Sequence, residues 1–282
     1  MITISSERLE VVISPVGAEL QSVHLDGKER LWQGDAEYWE GRAPILFPIC
    51  GGVKNDTYTI GGKSYSLNKH GFARTSVFAE EKLSDCSARF TLTDSEATRV
   101  QYPFSFSLVV TYAVSENRLS VNYAIKNKND GLMYFSIGAH EAYSLESDVD
   151  NYSVIFEKSE DFNAYDLCGN EVCNTYKSLL KNSDTLPLKD EYFKIDALVF
   201  KTLKSRKATL INNETKHGAT LEFPNNDYFL IWKKPKARYV CLEPWSGIPD
   251  SVDSDGVFEH KEGILKLEAH ETYTQGHTIS FF

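Results

Sequence analysis

Between Phe104 and Ile125 the chain alternates apolar and small or polar residues through two consecutive passes. Phe104, Phe106, Leu108, Val110, Tyr112 and Val114 make the first pass, Ser115-Glu116-Asn117 turns the chain, and Leu119, Val121, Tyr123 and Ile125 return. A period of two puts every apolar side chain on one face of a strand. The pattern therefore predicts an antiparallel hairpin with one wholly apolar face. Two strands alone cannot shield such a face from water, so another sheet must cover it.

The same signal recurs along the chain. Leu9-Val11-Ile13 and Leu20-Val23-Leu25 predict opening strands, with Asp26-Gly27 as a turn before Leu31-Trp32. Thr57–Leu67 predicts a hairpin, because Gly61-Gly62 can take the positive φ angles of a two-residue turn. Val154-Phe156 is followed by weak periodicity to Lys189, read as long loops with short strands. Alternation resumes at residues 197–200, 208–211, 219–223 and 228–232, with Asn212–Gly218 as a turn region, and residues 263–282 read as two final strands. No helical stripe exceeds about two turns, and short helical turns are expected only near Asp35–Trp39 and Gly256–His260. Nothing resembling a linker or a 20–50-residue repeat divides the chain. The expectation is a single all-β domain over residues 1–282, built as stacked or strongly curved antiparallel sheets.

Composition narrows the partners. The net charge of -10 argues against nucleic acid, whose phosphates require a basic surface. No apolar run approaches the roughly 20 residues of a membrane span, and the N-terminus lacks the basic and apolar regions of a signal peptide. A cytoplasmic protein, without membrane or nucleic-acid partners and acting as monomer or homodimer, is expected. The five cysteines, Cys50, Cys86, Cys168, Cys173 and Cys241, show no C-x-x-C spacing and read as free thiols of a reducing compartment.

The chemistry-bearing residues sit where apolar strands end. In Tyr134–Ser144 the apolar run loosens at Gly138-Ala139 and delivers His140, with Glu141 beside it. In Arg238–Trp245 the run Val240-Cys241-Leu242 delivers Glu243 before Pro244. A carboxylate in such a position is costly to bury unless paired. Taken alone, His140 reads more simply as a structural histidine, and Glu243 reads equally well on a solvated face. Arg42 precedes an apolar, proline-shaped segment, His70 and Arg74 frame HGFAR, and Asp196 stands at the mouth of an apolar strand. Phosphate-loop, dinucleotide, nucleophile-elbow and H-E-x-x-H signatures are absent. The dispersed histidines show no metal-ligand spacing, and no metal or other cofactor is expected.

As a set, five segments resemble the aldose 1-epimerase (mutarotase) family, in particular a bacterial LacX-like branch. They are GRAPILFPICG at 41–51, HGFAR at 70–74, IGAHEAY at 137–143, DALVF at 196–200 and CLEPWSGIPD at 241–250. The resemblance covers essentially the whole chain and implies a galactose-mutarotase-like β-sandwich with an open sugar cleft. It implies His140 as general acid and Glu243 as general base, with Arg42, His70 and Asp196 holding the sugar. Arg74 corresponds to an arginine that helps bind phosphate in related hexose-6-phosphate mutarotases. Trp245, and Phe72, are candidates to stack on the sugar or to serve as core. Glu141 departs from the pattern, where many relatives have proline. It could raise the pKa of His140 or alter the cleft edge.

The reaction so implied interconverts the α and β anomers of a hexose such as galactose or glucose. An ionised Glu243 takes the C1 hydroxyl proton, a protonated His140 gives one to the ring oxygen, the C1–C2 bond rotates in the open aldehyde, and the ring recloses. Competing readings are a mutarotase for a hexose 6-phosphate, suggested by Arg42 and Arg74, a non-catalytic carbohydrate-binding protein, and, more weakly, a glycosidase, which would need two carboxylates at the bond.

Overall fold

The computed structural model describes residues 1–282, and every sheet in it is antiparallel. The predicted Phe104–Ile125 hairpin forms as strands Phe106–Ser115 and Arg118–Asn127, with Val110 opposite Tyr123 and Tyr112 opposite Val121. These two strands lie in a nine-stranded sheet. Its spatial order is Ser183–Pro187, Tyr152–Glu160, Lys207–Asn212, Gly218–Glu222, Thr272–Phe281, Arg118–Asn127, Phe106–Ser115, Ser87–Thr93 and Ala79–Ser84. The cover demanded by its apolar face is a six-stranded sheet. That sheet runs Glu141–Ser144, Tyr239–Trp245, Tyr228–Trp232, Leu198–Phe200, Asn163–Cys168 and Glu171–Ser178.

The main core lies between these sheets. Val110, Tyr112, Val121, Tyr123, Leu221 and Ile279 from the larger sheet are buried with Phe229, Ile231, Val240, Leu242 and Phe200 from the smaller. Rings interlock across the gap, with Phe229 stacked on Phe223 at 4.8 Å and edge-on to Phe156 at 5.8 Å. A four-stranded sheet from the first 29 residues adds Ile4, Val11, Ile13 and Val23 to the same core, and Tyr112 ties it down by donating to the Ala18 carbonyl at 2.7 Å.

Alternation gives the Tyr239–Trp245 strand two distinct faces. Val240 and Leu242 enter the core, while Tyr239, Cys241 and Glu243 belong to the opposite face. That opposite face of the six-stranded sheet is where the site is built.

Several expectations need correction. The region from Phe156 to Lys189 is not long loops with short strands: the strand Tyr152–Glu160 runs into it, and strands at Asn163–Cys168, Glu171–Ser178 and Ser183–Pro187 fill most of the rest. Their exposed ends lack the apolar alternation by which strands are recognised. Asp35–Trp39 is a tight turn closed by the Asp35 amide on the Trp39 carbonyl, not a helical turn. The expected turn near residue 260 forms at Phe258–His260. A short α-helix at Glu96–Gln101 was not expected, although Ser95 and Thr98 make a reciprocal capping box at its start. Cys168 and Cys173 are disulfide-bonded across a hairpin end, where free thiols were expected, because that hairpin brings their Cα atoms within 5.6 Å. Cys50, Cys86 and Cys241 are free. No helix is long and apolar enough to cross a membrane.

Candidate active site

Strand pairing creates the central contact. Glu141–Ser144 pairs with Tyr239–Trp245 in a register that sets Glu141 opposite Leu242. One step back along that register, His140 falls opposite Glu243. Gly138 bridges to both Leu46 and Trp245, and the Ala139 amide reaches the Pro244 carbonyl, so the ladder continues past the nominal strand end. Gly138 is required here: a Cβ would lie 2.5 Å from Trp245 Cδ1. The result places His140 Nε2 3.5 Å from Glu243 Oε2, with both residues buried.

The pair lies in the wall of a cleft of about 390 Å³. Lys69, His70, Arg74, Lys194, Asp196, Ala197, Lys233 and Lys234 line it with the pair. Trp39 stacks on His140 with ring centres 5.0 Å apart, and Trp232 meets the same imidazole edge-on at 5.5 Å. Gly41 makes room for Trp39, since a Cβ there would lie 2.5 Å from the indole. Trp32 steadies the loop by donating its Nε1–H to the Trp39 carbonyl at 2.8 Å.

His70 occupies a strained backbone position, with φ near 70° followed by Gly71 at 69°. Its amide donates to the Gly51 carbonyl at 2.7 Å, and the Gly51 amide donates to His70 Nδ1 at 3.1 Å. Accepting at Nδ1 leaves Nε2 to carry the hydrogen, so His70 is a fixed, neutral donor. Burial, then the neighbouring His140, Lys69 and Arg74, hold its pKa well below the usual histidine value.

Burial also governs the acid–base pair. It pushes His140 down to about 3, with Lys69 and Arg74 acting in the same direction. It pushes Glu243 well above the usual carboxyl range, with Asp196 and Glu141 reinforcing the rise and Lys69 opposing it. Both shifts favour uncharged groups. Burial thus favours a protonated Glu243 beside a neutral His140. This reverses the expected resting state of an ionised Glu243 beside a protonated His140, because neither charge is solvated there.

The other expected site residues divide. His70, Arg74 and Asp196 line the cleft with the pair. Arg42 is not among the lining residues: its Nη1 donates to Gln21 Oε1 at 3.1 Å. Trp245 lines the cleft but is 3% exposed, with its Nε1–H donating to the Ala139 carbonyl, so it serves as a rigid floor. Phe72 is core, packed edge-on against Phe47. Glu141 neither lifts His140 nor shapes the cleft edge. It projects to the opposite side of the strand, where Oε1 meets His277 Nε2 at 2.9 Å between the two large sheets. Trp39, Trp232, Lys69, Lys194, Lys233 and Lys234 were missed. Pro44 within GRAPILFPICG and Lys69 just before HGFAR adjoin recognisable segments, but nothing local separates a cleft tryptophan from a core one.

The chain is a two-layer antiparallel β-sandwich with a buried histidine–glutamate pair in the wall of a cleft on its six-stranded sheet. The chain belongs to the aldose 1-epimerase family, whose model matches residues 1–280. Its fold is that of galactose mutarotase-like structures. A galactose mutarotase related enzyme from Lactobacillus acidophilus is 34% identical, with a TM-score of 0.94, covering 100% of this chain and 97% of the other. A galactose mutarotase-like protein from Lactobacillus casei is 28% identical, with a TM-score of 0.95 and full coverage of both chains. The LacX protein encoded on the Lactococcus lactis chromosome is 29% identical over 99% of this chain and 98% of its own length. Family membership supports an epimerase-type isomerase.

Proposed function

We propose that residues 1–282 act as one catalytic unit that interconverts the α and β anomers of a hexose such as galactose or glucose. The observation that carries this reading is the His140–Glu243 pair, 3.5 Å apart and buried against an open cleft. Ring opening needs one group to accept the C1 hydroxyl proton and one to supply a proton to the ring oxygen. The pair holds one proton in total, so it offers one acceptor and one donor. The working arrangement, Glu243 as base and His140 as acid, contains the same number of protons as the resting arrangement. Moving the proton from Glu243 to His140 requires no exchange with solvent. Sugar hydroxyls that hydrogen-bond Glu243 favour that transfer, whereas Lys69 favours a charged Glu243 and opposes a charged His140.

The remaining residues position the sugar. His70 donates from Nε2, Asp196 accepts from hydroxyls, and Trp39 and Trp232 present ring surface to an apolar sugar face. Trp245 holds the His140 segment in register through its bond to Ala139.

A second reading, a sugar bearing an anionic group such as a 6-phosphate, is favoured by the cleft's charges. Lys69, Arg74, Lys194 and Lys234 line it, and none forms an ion pair with an acidic side chain. Arg42, expected from the sequence to act with Arg74, bonds Gln21 and does not line the cleft, so Arg74 with these lysines is the phosphate-binding candidate.

Anomer exchange measured with glucose, galactose and their 6-phosphates tests both. Wild type should accelerate exchange, and His140→Asn and Glu243→Gln should each lose about 10²–10⁴-fold. Activity confined to the phosphates would remove the neutral-sugar reading. Equal background rates for wild type and Glu243→Gln, with sugar still bound, would leave a binding protein without catalysis.

A further inference from the structure

Cys241 is a free, fully buried thiol that the proposed reaction does not use. It stands two residues before Glu243 on the same face of the same strand, and so beside the acid–base pair. One donor atom from each of His140, Cys241 and Glu243 lies within 4.8 Å of the other two. We propose that these three side chains form a binding site for a borderline-soft divalent cation, of which Zn²⁺ is the type, and that the bound cation shuts off proton transfer.

The donor set fits the ion. An imidazole, a thiolate and a carboxylate are the three ligand types zinc prefers, and zinc sites open to solvent take three protein ligands and leave a fourth position free. Bonds of about 2.0–2.3 Å in a tetrahedron separate neighbouring donors by roughly 3.3–3.7 Å. His140 Nε2 and Glu243 Oε2 are already 3.5 Å apart. The remaining separations, all within 4.8 Å, must shorten by at most about 1.5 Å to reach that range.

The surroundings leave these donors available. His140 is committed to no partner outside the set: Nδ1 is buried without a hydrogen bond, and Nε2 faces Glu243 at 3.5 Å. Other buried acids are differently disposed. Asp250 accepts from Lys261 Nζ at 2.8 Å, and Glu160 accepts from Ser205 at 2.7 Å, which leaves both committed. A cation arriving through the cleft meets Glu243 and His140 first, with Cys241 behind them. Coordination displaces a proton from the thiol and from the carboxyl, both to solvent, and uses the lone pair of the neutral imidazole. The fourth position then faces the cleft. The ion ties up the lone pairs that would accept and pass on protons, so exchange stops. The inhibitory half of this inference rests on the proposed function; the site itself does not.

Co²⁺ is the probe that separates the two, because a cobalt–thiolate bond gives an intense sulfur-to-metal charge-transfer absorption whether or not the protein is active. Titrating the metal-free wild-type protein should give that absorption at one Co²⁺ per chain, and Zn²⁺ should abolish it by displacement. Cys86→Ser, which removes the exposed thiol, should leave it in place. Cys241→Ser should eliminate it, and His140→Asn should weaken Co²⁺ binding by roughly 10²-fold while keeping some sulfur character. Thermal melts of each variant show that the fold survives. In parallel, Zn²⁺ should inhibit wild-type anomer exchange, and Cys241→Ser should need roughly 10²-fold more Zn²⁺ for the same inhibition. Absence of the absorption in wild type, or its persistence in Cys241→Ser, overturns the site. Charge transfer with exchange indifferent to Zn²⁺ overturns the inhibitory role alone.

Discussion

At the scale of single residues, the protonation of the His140–Glu243 pair has consequences that an ordinary histidine would not produce. The pair keeps its single proton from the raised Glu243 value down to about 3, where His140 itself charges. Activity in kcat/KM should therefore show no acid limb at the ordinary histidine value near 6.5, and should hold as pH falls from there to about 5. An acid limb centred near that ordinary value in anomer-exchange assays would contradict the assignment. Stability follows a separate rule. A carboxyl whose folded pKa is raised adds stability fully below its unfolded value, near 4.3, and loses it as pH rises through the folded value. Glu243→Gln removes that penalty, so the variant should melt above wild type at neutral pH, by roughly 2–4 °C per kcal/mol gained. The difference should shrink as pH falls toward about 4, and a gap independent of pH would count against a raised Glu243. The identities of His140, Glu243, His70, Arg74 and Asp196 were legible because each interrupts or borders an apolar strand. Their protonation was not legible, since burial is a property of the assembled cleft. Trp39 and Trp232 escaped for the same reason: a tryptophan reads alike whether it faces sugar or core.

At the scale of elements, one strand carries two histidine–carboxyl pairs on opposite faces. His140 meets Glu243 across the ladder on the cleft side, and Glu141 meets His277 on the core side. The second pair joins Glu141–Ser144 in the smaller sheet to Thr272–Phe281 in the larger, and Glu141 Oε2 has no partner. Breaking such a buried pair on one side typically costs about 3–5 kcal/mol, whereas replacing both partners with apolar residues is often neutral. His277→Leu should thus lower the melting temperature sharply, and Glu141→Leu combined with His277→Leu should recover most of the loss in a double-mutant cycle. Additive losses would mean that the two residues do not depend on each other. The long hairpin over residues 106–127 was legible because both of its strands have one buried face. The Ala79–Ser84 strand was not, because all six residues are exposed at the sheet edge and carry no alternation. Register was also hidden: period two says which face a residue takes, but only the partner strand says that His140 stands opposite Glu243.

At the scale of the whole molecule, the sign of the cleft opposes the sign of the chain. The protein carries a net charge of -10, yet Lys69, Arg74, Lys194 and Lys234 converge on one concavity. An acidic surface repels anions at long range, and a basic cleft attracts them at short range. The two effects are screened differently, because the Debye length is about 8 Å at physiological salt. For a neutral hexose, kcat/KM should be nearly indifferent to ionic strength, since neither field acts on it. For a hexose 6-phosphate, attraction within the cleft should dominate, so kcat/KM should fall as salt rises from about 0.05 to 0.5 M, mainly through KM. Arg74→Ala should flatten that dependence and raise KM for the phosphate while leaving the neutral sugar within about twofold, since Arg74 is exposed and unpaired and contributes only its charge. Equal salt dependence for both sugars would show that the lysines and Arg74 serve only the acid–base pair, where Lys69 and Arg74 already act on the pKa of His140. Anionic and neutral substrates are therefore distinguished by the slope of rate against salt, even where their rates at one salt concentration coincide.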